Sequence, residues 1–360
     1  MKTYRVGIIG LGRMGSTIDD EQHAIKPYSI AACCAEMDQL EVVAGSDLEE
    51  NKRSAFTERW GVEAVYEDYM EMVEKENLDL VAVCTTASGL FKPAREAPDS
   101  DFRGDSHADL TVSLANAGVS MLYVEKAMAS SVARADDILE AVQKNNTVFN
   151  CGVLRRYNQH YHQVRDIVAD GQVGEVKSIV HFAASSLMHG HIHSIDTLSF
   201  LLGDPGIESI RGELIPHDTI IENNHIASDP MATYQVMFKN GIYGSSVPAG
   251  NWEYEIFGTE GSVRSQNNGQ GIQLRKPGQM YGKRAGFEEV PVEPVQAKSH
   301  VVTCLQDTVD AYEQGRPTLG PVDIAHHITE ATIAVAESHR AGGGWIDLPL
   351  QERELYIFHI

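Results

Sequence analysis

The sequence predicts an α/β protein of two domains. A doubly wound parallel sheet occupies residues 1–150, and an α+β domain with a large, open-faced antiparallel sheet occupies 151–360. Three observations carry this reading. The chain has 360 residues, more than one ordinary core holds and enough for two. Its first 150 residues alternate short apolar runs with helical patterns, as βαβ units do. After Cys151 the pattern turns strand-rich, with Asn240-Gly241 a strong hairpin signal between two apolar runs.

Taken in order, Tyr4-Arg5-Val6-Gly7-Ile8-Ile9 is an apolar strand that runs into a glycine turn and a following helix. Leu40 to Gly45 is the second strand, and Asn51 to Trp60 and Tyr66 to Lys75 read as helices. Leu78 to Cys84 is a buried strand, Leu110 to Ala117 a helix and Ser120 to Val124 the next strand. Ala133 to Gln143 is helical and Thr147 to Asn150 a short strand. Irregular stretches between Gly15 and Leu40 and from Ser88 to Asp105 read as exposed insertions, placed where they could border a ligand crevice or merely decorate the surface. In the second half a helix spans Asn158 to Ala169, followed by strands at Val176 to Phe182, Ala232 to Phe238, Ile242 to Val247, Tyr254 to Gly258 and Ser262 to Arg264. One face of such a sheet is commonly left for a partner, so oligomerisation through it is expected.

Composition excludes several classes. The 51 acidic against 29 basic residues give a net charge of −22, which repels nucleic acid and anionic membranes. The chain has no run of about 18 apolar residues for a membrane span and no leader-like cleavage site, so cytoplasmic residence is expected. Its five cysteines are scattered without a C-x-x-C pair, as buried thiols of a reducing compartment are.

The chemistry begins at Gly10-Leu11-Gly12-Arg13-Met14-Gly15, a G-x-G-x-x-G placed directly after a strand. Gly10 permits the tight turn, Gly12 lets a pyrophosphate approach the backbone, and Gly15 lets helix and strand pack closely. The residues thus point to a dinucleotide. Asp47, at the end of the second strand, is placed to accept hydrogen bonds from the adenosine ribose. It lies 37 residues past Gly10, against about 20 in the usual motif, and the insertion accounts for the excess. A carboxylate there repels a 2′-phosphate and favours NAD over NADP, with Arg53 a weak counter-signal; a helix N-cap aspartate would look the same. Glu125-Lys126 follows a strand at the mouth of the sheet, where Lys126 could bond a substrate hydroxyl, although a surface Glu–Lys pair is the ordinary alternative. Helical spacing sets His189, His193 and Asp196 on one face. That arrangement suits a histidine general base, a zinc site, or histidines capping a core helix.

With Gly152-Val153-Leu154-Arg155-Arg156-Tyr157, Gly171 to Val176 and Phe257 to Val263, these motifs occur in one order. Over nearly the whole length the chain resembles the Gfo/Idh/MocA oxidoreductases. The resemblance implies an N-terminal Rossmann domain and a metal-free site, with the C-terminal sheet mediating homodimers or homotetramers. It gives Lys126 the role of contacting nicotinamide ribose and substrate, and His193 that of the catalytic histidine. Thr85 and His107 match residues lining the cofactor; Arg156 and Tyr157 fall near the substrate, and Trp252 would offer a sugar ring an aromatic platform. The implied activity is NAD-dependent oxidation of a secondary hydroxyl of a sugar, glycoside or cyclitol. Alternatives are transient oxidation by tightly bound NAD in elimination, hydrolysis or epimerisation, and a catalytically silent NAD(H)-binding regulator. Two departures stand out: Ala127 replaces the family's proline after Glu-Lys, and His189 occupies a position where many members carry aspartate. A second imidazole there would serve as an auxiliary acid/base.

Overall fold

A computed structural model describes residues 2–22, 25–88 and 103–359. Most of the expected loop from Ser88 to Asp105 therefore lies outside the described residues. The chain forms two compact units: Met1–Tyr157 with Lys298–His326 and Phe358–Ile360, and Asn158–Ala297 with His327–Ile357. The sequence reading divides the chain once, at residue 150; the structure instead divides it at Tyr157 and returns two later segments to the first unit.

The first unit runs β1 (Tyr4–Ile9), α1 (Ile30–Ala35), β2 (Leu40–Ser46), α2 (Glu50–Trp60), β3 (Val65–Tyr66), α3 (Tyr69–Glu76), β4 (Leu80–Val83), α4 (Ser106–Asn116), β5 (Met121–Val124), α5 (Val132–Asn145) and β6 (Val148–Cys151). Among the described residues its sheet has the order β3-β2-β1-β4-β5-β6, parallel throughout. This is the doubly wound order, with its switch between β1 and β4. Every residue of β4 and β5 is buried, because helices cover both faces of a parallel sheet. Alternate residues divide between two cores: Val6, Ile8, Ala82 and Tyr123 join α1 on one side. Ile9, Val81, Val83 and Val124 join α4 and α5 on the other. In α5, Val132, Ala135, Ile138 and Val142 form the buried stripe. Burying one such side chain as large as Ile138 stabilises the fold by about 1.5–3 kcal/mol.

One expectation needs correction here. No long helix follows the glycine turn. Arg13–Thr17 is a five-residue π-helical turn, and a 3₁₀ turn, Ile18–Asp20, ends it. Asp19 accepts hydrogen bonds from the Tyr28 and Ser29 amides at 2.8 and 2.7 Å. Only then does α1 begin, capped by Ser29. The aligned dipoles of a long helix are absent at this turn, so anion binding there depends on the local N–H groups.

The first unit also takes in α8 (His300–Gln314) and the opening turn of α9 (Val322–Arg340). Val301, Cys304, Leu305 and Val309 of α8 sit in the same core as β1 and α1.

The second unit contains α6 (Gln159–Ala169), β7 (Val176–Phe182), α7 (Ile192–Leu201), β8 (Ile207–Ile215), β9 (His225–Ile226), β10 (Met231–Phe238), β11 (Tyr243–Val247), β12 (Glu253–Gly258), β13 (Gly261–Gln266), β14 (Gly271–Tyr281), β15 (Arg284–Val290), β16 (Ile346–Asp347) and β17 (Tyr356–Ile357). Among the described residues its main sheet has nine strands in the order β15-β14-β13-β12-β7-β11-β10-β8-β16. All neighbours are antiparallel except β7 and β11. Strand β10 alternates strictly, burying Ala232, Tyr234, Val236 and Phe238. On the other side of the pleat, register places Glu255 opposite Arg264 and Ser262 opposite Arg275. The Glu255 carboxylate takes an ion pair from each arginine. No helix among the described residues is long and apolar enough to cross a membrane.

Candidate active site

The first unit brings four chain segments to the carboxyl ends of the adjacent strands β2, β1, β4 and β5. Gly10 follows β1 with φ +90°, and a Cβ there would lie 2.7 Å from the carbonyl carbon and oxygen of Cys84. A Cβ on Gly15 would lie 2.1 Å from the Gly10 oxygen. Both glycines are therefore fixed by contact between backbones. Gly12 differs: an added Cβ meets nothing nearer than Lys52 Nζ at 4.0 Å. That side of the turn is open, as a cradle for a ligand phosphate has to be.

Asp47 follows β2, and its carboxylate accepts the Leu11 amide at 3.0 Å and the Glu49 amide at 2.9 Å. The aspartate thus ties the glycine turn to the neighbouring strand, with Lys52 Nζ at 3.8 Å. Arg53 donates to the Asp47 carbonyl at 2.7 Å and pairs with Glu67 at 3.6 Å. Arg13 forks onto Glu21, at 2.5 and 2.8 Å. The Met14 side chain packs against the β1 core.

Thr85 follows β4 and exchanges a hydrogen bond with Ser106 at 2.9 Å. His107 is buried, its ring nitrogens 2.7 Å from the Ala127 carbonyl and 3.0 Å from that of Thr85. Burial pushes its pKa below the ordinary histidine value. As a neutral ring it carries one N–H, so it donates to one of these two carbonyls, which follow β4 and β5, and lies against the other. Glu125, directly after β5, accepts the Tyr123 hydroxyl at 2.5 Å. Half-buried Lys126 comes next, and its peptide bond to Ala127 is cis.

Arg156 and Tyr157, expected near the substrate, are corrected by their surroundings. They lie in a 3₁₀ turn, Leu154–Tyr157, and both are buried. The Tyr157 hydroxyl donates to Asn150 and lies 3.4 Å from Asp307, while Arg156 donates to the Leu319 carbonyl at 3.3 Å. Burial raises the Tyr157 pKa well above the ordinary tyrosine value. Of the three polar residues only Arg155 is partly exposed. At three residues per turn, neighbours point about 120° apart, so the stretch cannot face one way.

In the second unit the histidines open on a wide turn. Residues Leu187–His191 form a π-helical turn, and α7 begins only at Ile192. A Cβ on Gly190 would lie 1.6 Å from Ser185 Oγ, so only glycine passes there. His189 is exposed, His193 half-buried and Asp196 buried, so the three side chains expected on one face meet different surroundings. His191 is the deeply placed imidazole: Nε2 lies 2.8 Å from the Ala232 carbonyl and Nδ1 3.0 Å from Ser194 Oγ. Burial pushes its pKa down to about 4. Trp252, at φ +52°, packs beside Gly190 and the His181 ring, with 5.1 Å between ring centroids. Among the described residues no group of three or more His, Cys, Asp or Glu is spaced to hold a metal ion.

Comparison with known proteins bears on both units. The family model for the NAD-binding Rossmann fold of the Gfo/Idh/MocA oxidoreductases matches residues 4–153, and that for their C-terminal alpha/beta domain matches 177–348. The chain belongs to this family. Among curated relatives of this oxidoreductase is the myo-inositol 2-dehydrogenase of Thermotoga maritima, 22% identical over 73% of this chain and 75% of the relative. Another is the scyllo-inositol 2-dehydrogenase (NAD(+)) of Bacillus subtilis, 22% identical over 94% of each chain. Among solved structures, aldose-aldose oxidoreductase from Caulobacter crescentus, complexed with glycerol, superimposes with a TM-score of 0.73 at 19% identity. That match covers 96% of this chain and 100% of the other, and shows likeness of fold.

Two residues of this Gfo/Idh/MocA chain escaped the sequence reading. Lys52 reaches the open side of Gly12 from α2, but a lysine on a charged helix carries no signal of its own. Asp229 accepts the Met188 and His189 amides at 2.8 and 2.7 Å. It lies 40 residues beyond His189 in sequence, and spacing does not reveal such a pairing.

Proposed function

We propose that this oxidoreductase is an NAD-dependent dehydrogenase acting on a secondary hydroxyl of a sugar, glycoside or cyclitol, or on the matching ketone. The observation that carries it is the edge formed by β1, β4 and β5, where the open turn at Gly12, the Thr85 backbone and Lys126 follow adjacent strands. Inositol dehydrogenases and an aldose oxidoreductase among the similar proteins support the substrate class. NAD is favoured over NADP because Asp47 stands at the end of β2, while Arg53 is committed to the Asp47 carbonyl and Glu67.

Gly10, Gly12, Arg13, Met14, Gly15, Asp47, Thr85 and Glu125 would hold the dinucleotide, with His107 bracing them from behind. The nicotinamide, when bound, supplies hydride acceptance. Lys126 donates a hydrogen bond to the reacting oxygen and stabilises its developing negative charge. His193 takes the hydroxyl proton, and His189 serves as auxiliary acid/base. Trp252 offers the ring of the substrate an apolar face. The open face of the nine-stranded sheet supports a homodimer or homotetramer, and five scattered cysteines without a C-x-x-C pair support residence in the cytoplasm.

A panel of sugars and cyclitols with NAD and NADP, followed by reduced-nicotinamide absorbance at alkaline pH, tests the reading. Turnover with at least one polyol and a preference for NAD is expected. Lys126→Met should lower kcat about 10²–10³-fold with NAD affinity retained; unchanged turnover would remove Lys126 from the chemistry. Silence with every polyol despite NAD binding would overturn the dehydrogenase assignment.

A further inference from the structure

The start of β10 and the residue before it, Pro230 to Ala232, pair with Ser185 to Leu187, where the histidine turn begins. The Ala232 amide donates to the Ser185 carbonyl at 3.2 Å, and the Leu187 amide to the Pro230 carbonyl at 2.8 Å. Ser186 and Met231 form an antiparallel bridge between them. Where the backbone of the turn leaves this ladder, a side chain takes over. The Asp229 carboxylate accepts the next two amides, Met188 at 2.8 Å and His189 at 2.7 Å, one on each oxygen. Such charge-assisted bonds on consecutive amides fix both the position and the rotation of the turn.

We propose that Asp229 is the positioning residue of the histidine turn, orienting its backbone and setting a negative charge beside the His189 ring. The Ser186 carbonyl holds the following amides, Gly190 at 3.2 Å and His191 at 2.9 Å, so this carbonyl and the carboxylate together fix the direction in which His189 leaves the turn. Burial raises the Asp229 pKa above the ordinary carboxylate value, opposed by the Met188 and His189 amides, by Ser186 and by the His189 ring, which all favour the ionised form. The remaining titratable groups on neighbouring elements are His181 on β7, His191 and His193 on the turn and α7, Tyr234 on β10 and Tyr254 on β12. His191 is neutral above about pH 4, and burial raises the Tyr234 hydroxyl far above its ordinary range. Asp229 is therefore the anion positioned to influence His189 within this group.

The consequence for activity rests on the roles proposed for His189 and His193, so the test has two arms. In the first, histidine-labelled protein is titrated by NMR, with the His189 signal assigned from His189→Ala. Asp229→Asn, which keeps the shape but loses the charge, is expected to lower the His189 midpoint by about 0.5–1 unit. In the second, the pH profile of kcat is measured with the best polyol of the panel. Asp229→Asn is expected to lower kcat about tenfold, on the scale of general acid–base contributions, and to shift the acidic limb. In a His189→Ala background it should not move that limb further.

A folded Asp229→Asn protein whose His189 midpoint is unchanged overturns the proposal. So does an equal shift of the limb in the His189→Ala background. A midpoint shift without any dehydrogenase activity supports the positioning role and sinks the dehydrogenase reading, so the two failures are distinguishable. If Asp229→Asn does not fold, Asp229→Glu takes its place in the titration. A midpoint kept near that of the wild type supports the need for the charge, and a fall to that of the His189 ring in an unfolded peptide counts against it.

Discussion

Tyr157 is a residue whose chemistry misleads when read without its neighbours. A tyrosine beside two arginines resembles a substrate contact, yet its hydroxyl is spent on Asn150 and lies near Asp307. Removing the hydroxyl takes its donor from the buried Asn150 oxygen, at a cost of about 1–3 kcal/mol, while Asp307 keeps Leu319 and Arg316. Tyr157→Phe should therefore lower the melting temperature by several degrees while leaving KM for the polyol unchanged. A raised KM with unchanged melting temperature would return Tyr157 to the substrate. Lys126 was legible from the sequence because it follows a buried strand, and the end of such a strand has a known place in the sheet. The Arg155-Arg156-Tyr157 stretch was not, because the phase of a single 3₁₀ turn is set by what it packs against. Asp229 was illegible for a third reason: two amides choose it across 40 residues of intervening chain.

At the scale of elements, the glycine turn separates two kinds of constraint. Gly15 is needed by the fold and Gly12 by whatever binds above it. Gly15→Ala drives a Cβ to 2.1 Å from the Gly10 oxygen and should cost about 1–3 kcal/mol in thermal or denaturant unfolding. Gly12→Ala meets no atom closer than 4.0 Å. It should leave unfolding within about 0.5 kcal/mol of wild type while weakening NAD binding at least tenfold by calorimetry. Equal effects from both substitutions would show that Gly12 is structural. The strand and its glycines could be read from sequence because backbone sterics act locally. The missing helix could not, because Asp19 ends it through bonds to Tyr28 and Ser29. The strands of the second unit were also legible, since alternation along β10 and the Asn240-Gly241 turn are local signals. Their nine-stranded order was not, because the pairing of β7 with β11 and β12 joins segments distant in sequence.

For the molecule as a whole, buried histidines set the response to acid. In the second unit, burial holds His160 and His191 near pKa 4, against about 6.5 for an unfolded histidine. The unfolded chain takes up these protons first, so the stability is present above pH 6.5 and is lost as pH falls toward 4. In the first unit His300 behaves alike, also at about 4. Asp105 opposes it: burial raises its pKa to about 6, above the ordinary carboxylate range. The folded form therefore binds that proton at higher pH than the unfolded chain, and its contribution grows as pH falls through 6. His107 in the first unit is held down in the same way and Asp229 in the second is held up, so each unit mixes both signs. Single variants separate them: His160→Phe should flatten the fall of the melting temperature between pH 7 and pH 5, and an unchanged slope would refute the part given to this histidine.

The return of residues 298–326 to the first unit has a consequence for synthesis on the ribosome. Residues up to Tyr157 form its sheet, but α8 supplies Val301, Cys304, Leu305 and Val309 to the core beneath β1. At 5–20 residues per second, that helix emerges roughly 10–30 s after the sheet it must cover. Through that interval the nascent chain carries an apolar face with no partner, while residues 158–297 of the second unit are being made. The dinucleotide-binding unit is the first to start and among the last to be completed, so it is during translation, more than after release, that this protein would need shelter from aggregation.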